Sequence, residues 1–236
     1  MTTLPTLIVP GYRGSGPQHW QSWLQQQLPD CTRIDGIDWQ QPVLAHWAGR
    51  IRDVLAQTTQ PLRIIAHSFG ALAAVVAVAD RPEQVVQLVL VAPADPDRFD
   101  CMGLKPEQGF IDQRFSLHNV VPQRALAVDG LVIASRNDPW LAYDKAARLA
   151  ASWALSLHDA GHAGHINAES GYGPWPALLD LLQTDSLPVS TLSPGAAASL
   201  RKGRGSALAA VRQLTREQLQ SPQDHRLWQQ KAANSP

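Results

Sequence analysis

The run Leu62-Arg63-Ile64-Ile65-Ala66-His67-Ser68-Phe69-Gly70-Ala71-Leu72-Ala73-Ala74 constrains the fold more than any other stretch of the chain. Its first five residues are apolar apart from Arg63 and suit a strand covered on both faces. Its last four are small or helix-forming. Between them one serine sits with Ala66 and Gly70 two residues away on either side. A serine lifted onto a sharp strand-to-helix turn crowds the backbone there, so only minimal side chains fit. The pattern is Gly-x-Ser-x-Gly with Ala66 in the first small position, one methyl away from the usual glycine. A plain helix N-cap would also explain a serine here, but would not require the two small flanking residues.

The rest of the body repeats the strand-then-helix alternation. Short apolar runs at Thr6–Val9, Val86–Val91, Leu131–Ala134 and Ala154–Leu157, with a weaker one near Thr32–Ile37, read as further strands. Helical periodicity covers Gln18–Leu28, Val43–Ala56, Ser68–Asp80, Ala142–Trp153 and Trp175–Leu182. Parallel strands need connections of helix length, so this order predicts an α/β fold, a mostly parallel twisted sheet with helices on both faces. Its ligand site is expected beyond the carboxyl ends of the strands.

With 236 residues, 44% of them apolar, the chain is long enough for one large core. The longest apolar run, Ala71–Ala79, is far short of the roughly 20 residues of a membrane span. The first residues lack the basic and apolar regions of a signal peptide, and Cys31 and Cys101 are too few for a disulfide framework. The reading is a cytoplasmic protein with free thiols. Charge divides the chain near residue 185: thirteen basic against eighteen acidic residues before it, seven against two after it. Residues 1–185 are expected to form the domain. Residues 186–236 read as a Ser/Pro-rich linker and a basic tail, partly helical over Ser206–Gln220 or disordered, free to solubilise the body or engage a protein partner. The overall balance of zero gives no reason to expect nucleic acid.

A serine hydroxyl needs a base, and the base an orienting carboxylate, in the chain order Ser, Asp or Glu, His. Asp138, in Ser135-Arg136-Asn137-Asp138-Pro139, follows the strand Leu131–Ala134. His162 and His165 share the Gly-flanked loop after the next strand. Either could be the base, and His165 is favoured. His67, beside the nucleophile, is expected to pack in the elbow. Two backbone N–H groups should hold a developing oxyanion: Phe69, the residue after the serine, and Tyr12, which follows Gly11 in the loop after the first strand. The glycines at 11, 14 and 16 do not fit a dinucleotide fingerprint. His158, His162 and His165 lack the acidic or thiol partners of a metal site, so neither metal nor cofactor is expected.

Five segments together resemble the retinoblastoma-binding-protein-nine/YdeN-like serine hydrolases. They are Pro10-Gly11-Tyr12-Arg13-Gly14-Ser15-Gly16-Pro17-Gln18-His19-Trp20-Gln21-Ser22-Trp23, His67-Ser68-Phe69-Gly70, Ser135–Pro139, Gly164-His165-Ile166-Asn167-Ala168 and Ser170-Gly171-Tyr172-Gly173-Pro174-Trp175-Pro176. The resemblance covers most of residues 4–183. It implies an α/β-hydrolase fold with a small cap or none, no cofactor, and Ser68, Asp138 and His165 as catalytic triad; it does not reach the tail.

The resulting expectation is a serine hydrolase acting on a small ester through an acyl-enzyme. The same site could serve an amidase, aminopeptidase or thioesterase, and a catalytically weak protein-binding module is the rival from another class. The insert from Pro93 to Pro122 offers Phe99, Met102 and Phe110, with Leu104 and Phe115, as lining for a small acyl pocket or as packing on the sheet.

Overall fold

The computed structural model describes residues 4–106 and 113–183. The sequence's tail, its helix over 206–220 and Phe110 lie outside these residues. Six parallel strands form one sheet in the order β2-β1-β3-β4-β7-β8: β1 Thr6–Val9, β2 Cys31–Arg33, β3 Leu62–His67, β4 Val85–Val91, β7 Gly130–Ala134 and β8 Ser156–Asp159. Between β4 and β7, β5 (Phe99–Asp100) and β6 (Gly103–Leu104) make a two-residue antiparallel ribbon. The helices are α1 Trp20–Gln27, α2 Leu44–Gln57, α3 Phe69–Val78, α4 Tyr143–Trp153 and α5 Pro176–Gln183.

Successive side chains of a strand point to opposite faces, and the central strands are apolar on both. Ile64, Ala66, Leu88, Leu90, Val132 and Ala134 face a core closed by α2, α3 and α4. Ile65, Val89, Val91, Leu131 and Ile133 face a second core closed by Trp20 and Leu24 of α1 and Leu178 and Leu182 of α5. All ten residues of α3 are buried. Helix α2 covers it with Leu44, Trp47, Ala48, Ile51 and Leu55, the spacing of one helix face, and Trp47 stacks edge-on against Phe69 at 4.9 Å.

Element boundaries differ from the sequence reading where backbone conformation overrides composition. Strand β8 starts at Ser156 rather than Ala154, because Ala154 ends α4 in a left-handed conformation (φ 57°), its N–H returning to Ala150 and Ala151. Strand β2 is three residues long, not six. The segment after β4 holds short 3-10 turns and the β5–β6 ribbon, tied to α4 by Lys145, which bridges Asp95 (2.7 Å) and Asp97 (3.2 Å). No helix among the described residues is long and apolar enough to cross a membrane.

Candidate active site

Strand β1 lies between β2 and β3, and the chain leaves β1 and β3 toward opposite faces, α1 joining one core and α3 the other. The loops leaving these strands therefore part and open a crevice at their carboxyl ends, the switch point of the sheet. Ser68 stands there, one residue past β3, with φ 54° and ψ −124°. Such a conformation costs on the order of 1–3 kcal/mol for a non-glycine residue. Packing enforces it: a Cβ on Gly70 would lie 2.1 Å from the Pro10 carbonyl oxygen, and one on Gly11 would lie 2.7 Å from the Ser68 Cβ. Ser68 occupies the N-cap position of α3, yet its side chain makes no cap hydrogen bond.

Its hydroxyl instead meets an imidazole. Ser68 Oγ is 2.8 Å from His165 Nε2, and His165 Nδ1 lies 2.9 and 3.0 Å from the two carboxylate oxygens of Asp138. A carboxylate only accepts, so the Nδ1–H donates to Asp138 and Nε2 is left to accept the serine proton. The side chains of His165 and Asp138 are 8% and 2% exposed, which shields the pair from water. Asp138 Oδ1 also accepts the Trp140 N–H at 2.8 Å, fixing the carboxylate's rotation. His162 is exposed, as is His158, and neither joins His165. Neither the Tyr12 nor the Phe69 amide donates to another group among the described residues; Phe69 opens α3, where an amide has no acceptor within its own helix.

Several residues that hold this arrangement fall within the segments that carry the resemblance but have no role assigned by the sequence. Ser135 Oγ accepts the Ala163 N–H at 2.9 Å and donates to Asn137 Oδ1 at 2.8 Å, and Asn137 Oδ1 accepts the Gly164 N–H at 2.8 Å. The loop carrying Asp138 is thereby sewn to the loop carrying His165. Ser170 Oγ accepts the His165 N–H at 3.1 Å. Trp20 Nε1–H donates to the Ile166 carbonyl at 2.8 Å. Gln21, fully buried, donates to the carbonyls of Val9 (3.1 Å) and Ile65 (3.4 Å) and accepts from Ser15 Oγ (2.6 Å), clamping β1, β3 and the Tyr12 loop together. In the sequence Gln21 stands only within the segment Pro10–Trp23, where no pattern assigns it this clamping role.

Two further histidines sit behind His165. His67 Nε2–H donates to the His165 carbonyl at 3.0 Å, and its ring lies 4.9 Å from that of His165 and 5.0 Å from that of His19. Burial first, then the nearby imidazoles of His165 and His19, pushes His67 well below the usual histidine range. His19 is pushed down to about 4, by burial, then Arg33 and His165. Both are neutral near pH 7.

The cleft above Ser68 and His165 has a volume of about 700 Å³. Tyr12, Arg13, His19, Phe99, Leu104 and Trp140 contribute to its wall. Phe99 also packs on Phe69, ring centroids 4.7 Å apart, so it lines the cleft and belongs to the core. Met102 does not line it. It is 70% exposed, because the tight β5–β6 turn, with the Met102 N–H held by Asp100 Oδ1 at 2.8 Å, carries it outward.

A strained serine at a strand-to-helix corner, above a parallel sheet and beside an imidazole, defines an α/β-hydrolase. The chain matches the family described as serine hydrolase over residues 6–184 and belongs to it. It is 23% identical to the YdeN protein of Bacillus subtilis, over 76% of this chain and 95% of that one. A YdeN-like protein from Pectobacterium atrosepticum is 38% identical, with a TM-score of 0.65 over 76% of this chain and 89% of its own. Est1E from Butyrivibrio proteoclasticus, a structure with ferulic acid bound, shares the fold: TM-score 0.54, 15% identity, 70% of this chain and 82% of that chain.

Proposed function

We propose that this serine hydrolase cleaves small carboxylic esters, with Ser68 as nucleophile, His165 as base and Asp138 as its orienting carboxylate. In this reading, Ser68 Oγ attacks the ester carbonyl carbon as its proton passes to His165 Nε2, and Asp138 stabilises the imidazolium. The carbonyl oxygen, now negative, is met by the Tyr12 and Phe69 amides. The carbon–alkoxide bond then breaks, the alcohol leaves with the proton from His165, and water repeats the sequence to free the acid. The observation that carries the reading is the 2.8 Å contact from Ser68 Oγ to a nitrogen whose ring is fixed at its far side by Asp138. A short β5–β6 ribbon in place of a large cap favours compact acyl groups.

The test is turnover of short-chain p-nitrophenyl esters together with labelling by a fluorophosphonate. Ser68→Ala should lose on the order of 10⁶ in kcat and all labelling. Retained turnover in Ser68→Ala would remove the serine from the chemistry. A wild-type protein that neither turns over nor takes the label would favour a binding role for the fold.

A further inference from the structure

The loop from Gly11 to His19 does more than supply one amide. Gly14 N–H closes a turn onto the Gly11 carbonyl at 2.9 Å, and Arg13 stands at its third position with φ 68°. That position of a turn favours glycine, because a Cβ is disfavoured at positive φ. An arginine held there is a destabilising choice, and outliers of this kind concentrate at binding sites. Its backbone is pinned, the Arg13 N–H donating to the Trp39 carbonyl at 2.8 Å. Its guanidinium lies 5.3 Å from the centroid of the Tyr12 ring, and both residues line the cleft that holds Ser68. No carboxylate pairs with Arg13 among the described residues.

His19 is the second observation on the same wall. Its Nδ1 accepts the Gln21 N–H at 3.2 Å, capping α1. A neutral imidazole with Nδ1 accepting carries its proton on Nε2. His19 is 5% exposed and lines the cleft, and its Nε2–H has no acceptor among the described residues. That donor is open to the cleft rather than sealed in the core, so an oxygen bound in the cleft can accept from it. Arg33 adds positive potential from behind the loop, with its guanidinium 2.6 Å from the Ser15 carbonyl oxygen. Glu169, from the turn after β8, also lines the cleft and would repel a negative group placed beside it.

We propose that the cleft wall from Arg13 to His19 binds a carboxylate through the Arg13 guanidinium and the His19 Nε2–H, so that the substrate is an ester that also carries a carboxylate. The substrate part of this rests on the ester-hydrolase reading above; the binding part does not.

Two pairs of esters test it, each matching a compound that bears a carboxylate with a neutral one that lacks it. On the acyl side the pair is p-nitrophenyl hydrogen glutarate and p-nitrophenyl pentanoate. On the alcohol side it is the butanoate of 4-hydroxybenzoate and phenyl butanoate. In at least one pair the anionic ester should have the higher kcat/KM by about tenfold or more, the size of a charge-assisted contact. That ratio should collapse in Arg13→Gly and shrink in His19→Asn, which can still cap α1. Arg13→Gly should keep or raise the melting temperature, since glycine fits φ 68°. Ratios near one in both pairs, or a ratio untouched by Arg13→Gly, would overturn the proposal. So would a melting temperature several degrees lower, which would make the arginine a packing residue. Calorimetric titration of Ser68→Ala with glutarate separates this from the hydrolase reading. Binding that disappears when Arg13→Gly is added supports the subsite even in a protein that turns over no ester, and no binding refutes it.

Discussion

The two halves of the candidate site are held in place by different physics. The serine is positioned by exclusion: its backbone is forced to φ 54° because Gly11 and Gly70 let the β1 loop press against the elbow, with no hydrogen bond from the serine side chain to its own helix. The imidazole and carboxylate are positioned by attachment: Ser135 and Asn137 bond one loop to the other, Ser170 holds His165 within its own turn, and Trp20 of α1 holds the Ile166 carbonyl. A sterically built site tolerates no added atoms. A hydrogen-bonded one tolerates no lost partners. The halves should therefore fail in different ways.

Apart from loss of the serine itself, the largest effect is expected on the attached side, at its chemical end. Asp138→Asn preserves shape but presents an amide to His165 Nδ1, which can stabilise the wrong imidazole tautomer. In a triad this substitution lowers kcat by about 10⁴, so a steady-state assay should show a loss of that order with an unchanged melting temperature. A loss under tenfold would mean that the 2.9 Å contact does not govern the base. The excluded side should break as structure. Gly70→Ala places a methyl against the Pro10 carbonyl, and overpacking of this kind costs about 1–3 kcal/mol, or more where the obstacle is backbone. Denaturant melts should show it as a lower midpoint. Gly11→Ala should lose activity more than stability, since its added methyl meets the Ser68 Cβ at 2.7 Å.

This contrast also explains what the sequence discloses. Steric exclusion leaves a mark in one dimension: Ala66, Gly70 and Gly11 are small because nothing larger fits, and a strand and a helix on either side show where the corner falls. Asp138 and His165 are legible because each follows a strand of a parallel sheet, where side chains converge. The alternation of apolar runs discloses the layered fold for the same reason. Attachment leaves no such mark. Ser135, Asn137 and Ser170 are common loop residues, and their partners lie 27 or 28 positions away or five along a turn whose shape the sequence does not reveal. Met102 shows the converse failure: an apolar residue in an insert suggests a pocket, but a two-residue turn sends it to solvent. The strand before the histidine loop is placed two residues early because a left-handed alanine cannot be read from composition.

On the attached side the next expected effect is smaller. Ser135→Ala removes the acceptor of the Ala163 N–H, and a buried donor left without a partner costs about 1–3 kcal/mol. The loss should appear in the unfolding midpoint and in kcat together, because the same bond orients the loop that carries His165. A stability loss with kcat unchanged would show that the stitching serves the fold but not the base.

The smallest expected effect lies where the halves meet. His67 ends β3 beside Ser68, and its Nε2–H holds the carbonyl of His165. Its folded form resists protonation, through burial and then the neighbouring imidazoles of His165 and His19, whereas in the unfolded chain it titrates near 6.5. Below that value the unfolded state therefore binds more protons than the native state, and stability falls with falling pH. Between pH 7 and pH 6 linkage gives a loss of roughly 0.7 kcal/mol for a single histidine of this kind. His19, pushed down to about 4, adds a loss of the same sign. In His67→Gln the side-chain amide can still donate to the His165 carbonyl, but the titrating group is gone. The variant's stability should decline less steeply than the wild type's over this interval, by about that amount, in denaturant melts at matched ionic strength. Equal slopes would mean that His67 takes up its proton in the folded protein, and that the seam between the two halves is open to water.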